Sequence, residues 1–251
     1  MLGEPFAGGV ASELVSPALT ADGTDVVLKV QTPHRESEHE AAALELWDGD
    51  GAVRLLAHDA EHHALLLERC VPGTPLAQVG QDGALDVFVE LLPRLWKPAS
   101  APFRPLAEEA AWWLDHLEET WAAAGKPFER RLLDAGLEAL RELPPIQGEQ
   151  VLLHQDLHGD NVLAAQREPW LAIDPKPLAG EREFGLAPII RSFELGHSQR
   201  DVVHRLDRLS SDLGLDRERA RGWAVGQTLA WAFDSSYHET HIDTVRWLID
   251  A

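Results

Sequence analysis

The chain has 251 residues, enough for one large domain or for two lobes that share a cleft. Its 42 acidic and 22 basic residues give a formal charge of −20, which argues against nucleic acid as a partner because the phosphates would be repelled. A single cysteine, Cys70, excludes an internal disulfide. We find no signal sequence and no apolar run of membrane-spanning length, so we expect a cytoplasmic, soluble monomer with no membrane partner.

The N-terminal region is predicted to form strands joined by turns, with Asp22-Gly23 as a hairpin turn. The run Val26-Val27-Leu28-Lys29-Val30 then places one lysine within an apolar strand. This run matches the V-A-I-K pattern, in which the lysine binds the α- and β-phosphates of a nucleotide. A lone strand lysine is usually solvated at a sheet edge, but the position of Lys29 between a hairpin and a helix favours phosphate binding.

A helix is predicted over residues 35–47, ended by Gly49. Its acidic residues Glu36, Glu38 and Glu40 are all candidates for pairing with Lys29. Residues 52–56 and 64–68 are predicted to be two further strands, and the turn Val71-Pro72-Gly73 follows them. Together these segments predict a small sheet with one helix.

The middle and the end of the chain are predicted to be helical, over residues 75–143 and from residue 188 onward. The helix around residues 222–231 is apolar nearly all round, which predicts a buried helix. Among the aromatic residues of the middle region, we expect the core to contain Trp96, Trp112, Trp113 and Trp121.

The most informative stretch is residues 151–163, VLLHQDLHGDNVL. An apolar run leads to Asp156, and the carboxamide of Asn161 follows five positions later. A second apolar run, residues 170–173, ends on Asp174. We therefore expect two short buried strands that lie side by side and present these three groups at one end. Phosphoryl transfer needs one carboxylate that orients the attacking hydroxyl, and an amide oxygen and a second carboxylate that hold Mg²⁺.

The same residues carry a family resemblance. His154, Asp156, Leu157 and Asn161 fill the kinase pattern H-x-D-L-x-x-x-N, and the stretch resembles the H-G-D-L-H-x-x-N loop of the aminoglycoside phosphotransferases. Residues 172–178, AIDPKPL, are similar to the branch that contains streptomycin 6-kinases and hydroxyurea-type resistance kinases. One departure is Gln155, which stands where the family usually has glycine.

This resemblance implies an α+β, bilobal, protein-kinase-like fold, with a small β-sheet lobe in residues 1–70 and a larger, mainly helical lobe in residues 71–251. ATP and Mg²⁺ are implied to bind in the cleft between the lobes. Among the three acids, Glu40 is selected as the partner of Lys29, because residues 40–44 resemble the E-A-A-A-L run of the family. The roles that the resemblance implies are catalytic base for Asp156, metal ligands for Asn161 and Asp174, phosphate ligand for Lys29, and adenine contact for the backbone near Glu68, Arg69 and Cys70.

For the acceptor we expect a hydroxyl of a small cationic antibiotic, with an aminoglycoside such as streptomycin as the best single candidate. Both the resemblance and the charge of −20 support a cation. The acids proposed to line its pocket are Glu181, Glu183, Asp234 and Glu239, and each is alternatively a solvated surface acid. Lys176 is expected to be solvated.

Several alternatives stay open. A related kinase acting on hydroxyurea, a peptide antibiotic or a metabolite has the same motifs. A protein kinase is disfavoured because no A-P-E segment follows Asp174, and a non-catalytic nucleotide-binding module is disfavoured because the motif set is intact. His154 and His158 have the spacing of the zincin motif H-E-x-x-H, but Gln155 stands where that motif needs glutamate.

Overall fold

The structure is a computed structural model that describes residues 1–6, 13–233 and 238–251. Its first lobe contains an antiparallel sheet of β1 (Glu13–Leu19), β2 (Asp25–Gln31), β3 (Leu55–Asp59) and β4 (Ala64–Glu68), in the order β1-β2-β4-β3. Lys29 pairs with Val15 on one side and with Leu65 on the other, so it lies in an interior strand. Helix α1 (Glu40–Trp47) belongs to the same lobe and buries Trp47 in the core.

Two boundaries in this lobe differ from the sequence prediction. Helix α1 begins at Glu40 instead of near residue 35, because the preceding residues form turns, in which the Ser37 N–H donates to the His34 carbonyl at 3.1 Å. The third strand begins at Leu55, because the Val53 N–H donates to the Ala172 carbonyl of the second lobe at 3.0 Å. As a result, Glu36 lies on a turn.

The second lobe is mainly helical, as expected. Its helices are α2 (Gln81–Leu95), α3 (Leu106–Ala123), α4 (Arg130–Glu142), α5 (Ala187–Ile190), α6 (Gln199–Leu213), α7 (Arg217–Trp231) and α8 (His238–Ile249). The prediction of a buried helix is confirmed by α7, but Trp112 of α3 is exposed instead of buried, with the Arg35 guanidinium 5.3 Å from its ring. Within the described residues, no helix has the length and apolar character needed to span a membrane.

Short strands surround the motif residues. They are β5 (Arg104–Pro105), β6 (Val151–Leu153), β7 (Val162–Ala164), β8 (Trp170–Ala172) and β9 (Leu178–Gly180). Strand β6 pairs with β9 and β8 pairs with β7, so the prediction that β6 and β8 lie side by side is wrong. The ends of β6 and β8 still meet, because the Lys176 N–H donates to the His154 carbonyl at 2.9 Å.

Helices α4 and α7 approach each other closely because glycines lie at their contact. A Cβ atom on Gly136 would lie 2.6 Å from Leu229 Cδ1, and one on Gly226 would lie 3.0 Å from Leu140 Cδ2. This packing holds α7 deep in the lobe, where the buried Gln227 Nε2 donates to the Gln155 carbonyl at 2.9 Å. The buried helix therefore supports the loop that carries Asp156.

Candidate active site

The loop after β6 has an unusual backbone at Gln155. This residue adopts a φ of +65°, in the left-handed region that glycine occupies without steric cost. The conformation gives a physical reason for the glycine that the aminoglycoside phosphotransferases usually have there. Here the hydrogen bond from Gln227 to the Gln155 carbonyl holds the loop in place.

His154 is a structural residue of this loop. Its Nε2 donates to the Ile173 carbonyl at 2.9 Å, and its ring stacks on Trp47 at a centroid distance of 6.1 Å. Burial lowers the pKa of His154 to about 4, so the imidazole is neutral at physiological pH. In this arrangement the Nε2 of His154, the first ligand of the zincin alternative, is already bound to the Ile173 carbonyl. The described residues also contain no cluster of three or more His, Cys, Asp or Glu side chains that could hold a metal ion.

Asp156 is almost fully buried and is held by two cations. Lys176 Nζ donates to its Oδ2 at 2.7 Å, and Arg191 Nη2 donates to its Oδ1 at 3.0 Å. Burial acts to raise the pKa of Asp156, but the charges of Lys176 and Arg191 outweigh it and hold the pKa below its ordinary value. The carboxylate is therefore ionised at neutral pH. Lys176 is paired instead of solvated, which corrects the expectation from sequence.

Asn161 and Asp174 lie next to each other in the fold. The Ile173 N–H, one residue before Asp174, donates to the Asn161 backbone carbonyl at 3.0 Å. Asn161 Nδ2 donates to the Asp156 carbonyl at 2.9 Å, which leaves the Asn161 Oδ1 as an acceptor. A carboxamide oxygen and a carboxylate are the hard ligands that Mg²⁺ takes in proteins, where phosphates and water supply the rest. These two residues therefore fit a Mg²⁺ site.

Lys29 connects this pair of residues to the first lobe. Its Nζ lies 2.9 Å and 3.1 Å from the two carboxylate oxygens of Glu40, and it also donates to Asp174. Gln31 donates a further hydrogen bond to Glu40. The expected pairing of Lys29 with Glu40 is thus present, and Lys29 also contacts Asp174, which lies two residues after the end of β8.

Comparison with known proteins gives the family. The model of the aminoglycoside/hydroxyurea antibiotic resistance kinases matches residues 3–240. The chain belongs to this family. It is therefore a phosphotransferase, and as a kinase it uses a nucleotide.

Individual relatives agree with this assignment. The chain is 45% identical over 230 residues to a streptomycin 6-kinase from Streptomyces glaucescens, which covers 89% of the chain and 74% of the relative. It is 45% identical over 221 residues to a hydroxyurea phosphotransferase from Kitasatospora aureofaciens, covering 86% of the chain and 64% of the relative. The structure of a choline/ethanolamine kinase family protein from Mesorhizobium loti matches with a TM-score of 0.72 at 14% identity, and the match covers 99% of this chain and 89% of that protein. This similarity shows the protein-kinase-like fold.

Glu68 is the last residue of β4, and Cys70 follows it by two positions. The Glu68 carboxylate accepts hydrogen bonds from Arg167 Nε at 2.8 Å and Nη2 at 2.9 Å, which ties the first lobe to the loop between β7 and β8. Its side chain is thus occupied, and any contact with adenine is left to the backbone. Cys70 is half-buried, and burial raises the pKa of its thiol to about 12, so it is not a nucleophile.

Of the four acids proposed to line the substrate pocket, the structure describes Glu181, Glu183 and Glu239, and their environments differ. Glu181 is buried, accepts from Arg219 Nη2 at 2.6 Å and from the Trp223 indole, and therefore has a structural role in place of the one expected for it. Glu183 is half-buried on the turn over residues 182–186, and Glu239 is exposed on the first turn of α8. Asp234 lies outside the described residues.

Arg191, Trp231 and Glu36 were not placed near Asp156 by the sequence analysis, although Glu36 was considered there as a partner for Lys29. Arg191 contacts Asp156 and lies with its Cζ 4.4 Å from the centroid of Trp231. Glu36 is half-buried on the turn before α1, where burial raises its pKa and the charge of Lys176 opposes that effect. Nothing in a motif marked these positions, because Arg191 and Trp231 reach the site only through the packing of the second lobe.

Proposed function

We propose that this kinase transfers the γ-phosphoryl group of ATP, in the presence of Mg²⁺, to a hydroxyl of streptomycin. The observation that carries the proposal is the meeting of Lys29, Asp156, Asn161 and Asp174 at one cleft, in a chain 45% identical to a streptomycin 6-kinase. A decayed, non-catalytic relative would be expected to have lost one of these four groups.

Each of the four groups has one role in the proposed reaction. Asp156 orients the drug hydroxyl and accepts its proton as the oxygen attacks the γ-phosphorus. Lys29, held by Glu40, binds the α- and β-phosphates. Asn161 and Asp174 hold Mg²⁺, which when bound offsets the negative charge of the phosphate oxygens. The backbone near Glu68 and Cys70 contacts the adenine edge.

A cationic acceptor is supported by the charge of the chain and by Glu36. The formal charge of −20 attracts a cationic drug at long range, and salt screens that attraction over about 8 Å at physiological ionic strength. Glu36 lies close enough to Lys176 and Asp156 for their charges to act on it, and the described residues provide it with no hydrogen bond or ion pair. We therefore assign Glu36 to the drug site and keep Glu183 and Glu239 as further candidates for it.

Hydroxyurea is the second candidate acceptor. The observation that favours it is the identity of 45% to a hydroxyurea phosphotransferase, equal to that of the streptomycin 6-kinase. Hydroxyurea is small and uncharged, so it would gain nothing from Glu36 or from the charge of the chain. The two candidates therefore predict different responses to salt: the KM should rise with salt for streptomycin and stay constant for hydroxyurea.

The experiment that tests the proposal measures release of ADP with streptomycin and with hydroxyurea at several salt concentrations. We expect streptomycin to be the better acceptor, with a KM that rises steeply with salt, while the KM for ATP changes less. Glu36→Gln should raise the KM for streptomycin, and Glu38→Gln, on the exposed side of the same turn, should not. Faster turnover of hydroxyurea, with a KM independent of salt, would favour the second candidate.

A further inference from the structure

The carboxylate of Asp156 is occupied on both oxygens. Lys176 Nζ donates to Oδ2 and Arg191 Nη2 donates to Oδ1. A carboxylate that orients a hydroxyl must present an oxygen within hydrogen-bond distance of it. At least one of the two cations must therefore leave its oxygen before an acceptor binds.

Lys176 is the cation that is able to leave. Its side chain is 22% exposed and carries its charge on a flexible four-carbon stem, whereas the side chain of Arg191 is 9% exposed. Arg191 also stacks closely on Trp231, at 4.4 Å, whereas Lys176 Nζ lies 5.3 Å from the same ring centroid. Arg191 is therefore a fixed positioning residue for Asp156.

Lys176 also lies close to both carboxylates of the reaction centre. It follows Asp174 by two positions, and its charge acts on both Asp174 and Asp156. In the proposed function Asp156 holds the acceptor hydroxyl and Asp174 holds the metal on the phosphates, so the transferring phosphoryl group must pass between them. An ammonium group at this place can donate to the oxygens on which charge is redistributed.

We propose that Lys176 is a catalytic residue with two positions: it covers Asp156 Oδ2 in the free protein and moves onto the transferring phosphoryl group when nucleotide and acceptor are bound. This inference rests on the proposed function. In the transfer step the bond from the acceptor oxygen to the γ-phosphorus forms, the bond from the γ-phosphorus to the bridging oxygen of ADP breaks, and the hydroxyl proton passes to Asp156. Lys176 keeps its proton and supplies charge and hydrogen bonds only.

The electrostatics of the pair agree with these roles. Burial acts to lower the pKa of Lys176, but the neighbouring carboxylates, Asp156 first, raise it above its ordinary value, so the amine stays protonated. Removal of that positive charge should in turn raise the pKa of Asp156. The other charged groups that face the pair are Glu36 before α1, His158 in the catalytic loop, Asp174 after β8, Arg191 after α5 and His241 on α8.

The test compares Lys176→Met, Lys176→Gln and Lys176→Arg with Lys97→Met, which removes the same charge from a surface pair with Asp50. We expect the Met and Gln variants to lower kcat by about 10²-fold or more. Their Kd for MgATP, measured by calorimetry, should stay within about threefold of wild type. Lys176→Arg should recover part of kcat, because a guanidinium also donates to phosphate oxygens.

A pH profile separates catalysis from structure. The acid limb of kcat/KM, which reports the free enzyme, should move to higher pH in the Met and Gln variants, and it should stay in place in Lys176→Arg and Lys97→Met. A lysine that only stabilises the fold would lower the folded fraction without moving this limb. The inference is overturned if either neutral variant keeps kcat within about threefold of wild type, or if kcat falls while the acid limb does not move.

Turnover in these assays is measured with streptomycin or hydroxyurea, whichever reacts faster. If neither reacts, the proposed function fails, and the slow transfer of the phosphoryl group from ATP to water is measured in its place. The same changes in kcat and in the acid limb are expected there, because water takes the place of the hydroxyl on Asp156. Failure of the proposed function is therefore distinguishable from failure of the role of Lys176.

Discussion

Lys29 and Glu40 form a buried ion pair in which the ammonium lies 2.9 Å from Glu40 Oε2 and also donates to Asp174. One lysine thus joins strand β2, the first turn of α1 and the loop after β8. Burial acts to raise the pKa of Glu40, and the charge of Lys29 opposes this effect. A change at Lys29 therefore affects both the phosphate site and the contact between the lobes.

The first prediction concerns this pair. Lys29→Met should weaken MgATP binding and turnover, and should also cost about 3–5 kcal/mol of unfolding free energy, because Glu40 is left buried without its cation. The double variant Lys29→Met/Glu40→Gln should recover much of the stability and none of the turnover. Calorimetry and urea unfolding measure the two effects separately.

Removal of Mg²⁺ with a chelator allows loss of the metal to be compared with loss of the Lys29 ammonium group. Turnover should disappear in wild type and return when the metal is restored, whereas metal in excess should not rescue Lys29→Met. Unchanged binding of MgATP in Lys29→Met would contradict the phosphate-binding role.

The second prediction concerns Asp156. Asp156→Asn removes the proton acceptor and leaves Lys176 and Arg191 without their anion, so turnover should fall by about 10²–10⁴-fold while MgATP still binds. Asp160→Asn makes the same chemical change at an exposed position of the same loop and should be close to wild type. Turnover of the Asp156 variant near that of the Asp160 variant would rule out Asp156 as the base.

The third prediction concerns Glu181, which the sequence suggested for the drug site. Glu181→Ala should cost about 3 kcal/mol of unfolding free energy, because it leaves the Arg219 guanidinium and the Trp223 indole without their acceptor. Glu149→Ala, which breaks an exposed pair with Arg182, should cost less than about 1 kcal/mol.

The two variants should also be compared as enzymes. Glu181 lies outside the reaction centre. The folded fraction of Glu181→Ala should therefore have the same KM for streptomycin as the wild-type protein. If this KM rises and the stability does not fall, Glu181 belongs to the drug site after all.

The contacts among the motif residues were predictable from sequence where these residues lie close together in the chain. Asp156, Asn161 and Asp174 meet through local segments of a few residues, and Lys29 and Glu40 lie 11 positions apart. The surroundings were not predictable in this way. Arg191 lies 35 positions from Asp156 and reaches it through the packing of α5, which leaves no local pattern in the sequence.

The errors have physical causes as well. Acidic residues near the motif were assigned to the drug site by charge alone, and charge does not tell a buried pair such as Glu181–Arg219 from an open carboxylate. Strand pairing was inferred from two apolar runs, but such runs do not specify which strands are neighbours. Gln155 was seen only as a departure from the family, whereas its positive φ explains why glycine is common there.

The fourth prediction concerns pH and stability. Burial lowers the pKa of His154 from 6.5 to about 4, so below pH 6.5 the unfolded chain binds a proton that the native protein does not. Stability should therefore fall as the pH falls from 6.5 toward 4, by about 2 kcal/mol between pH 7 and pH 5 from this residue.

His154→Gln provides the control, because glutamine can still donate to the Ile173 carbonyl but does not titrate. Urea unfolding at pH 7 and at pH 5 should show the smaller loss for this variant, while His241 and the carboxylates contribute equally to both proteins. An equal loss of stability in the two proteins would show that His154 is not held neutral by burial.

The central claim, that this kinase uses Asp156 to phosphorylate a streptomycin hydroxyl, is tested most directly by mass spectrometry of the drug. Wild-type protein, Asp160→Asn and Asp156→Asn are each incubated with MgATP and streptomycin under identical conditions. We expect a product heavier by one phosphoryl group from the first two proteins and little or none from Asp156→Asn. Unmodified streptomycin in all three incubations, together with rapid phosphorylation of hydroxyurea by the wild type, would contradict the claim.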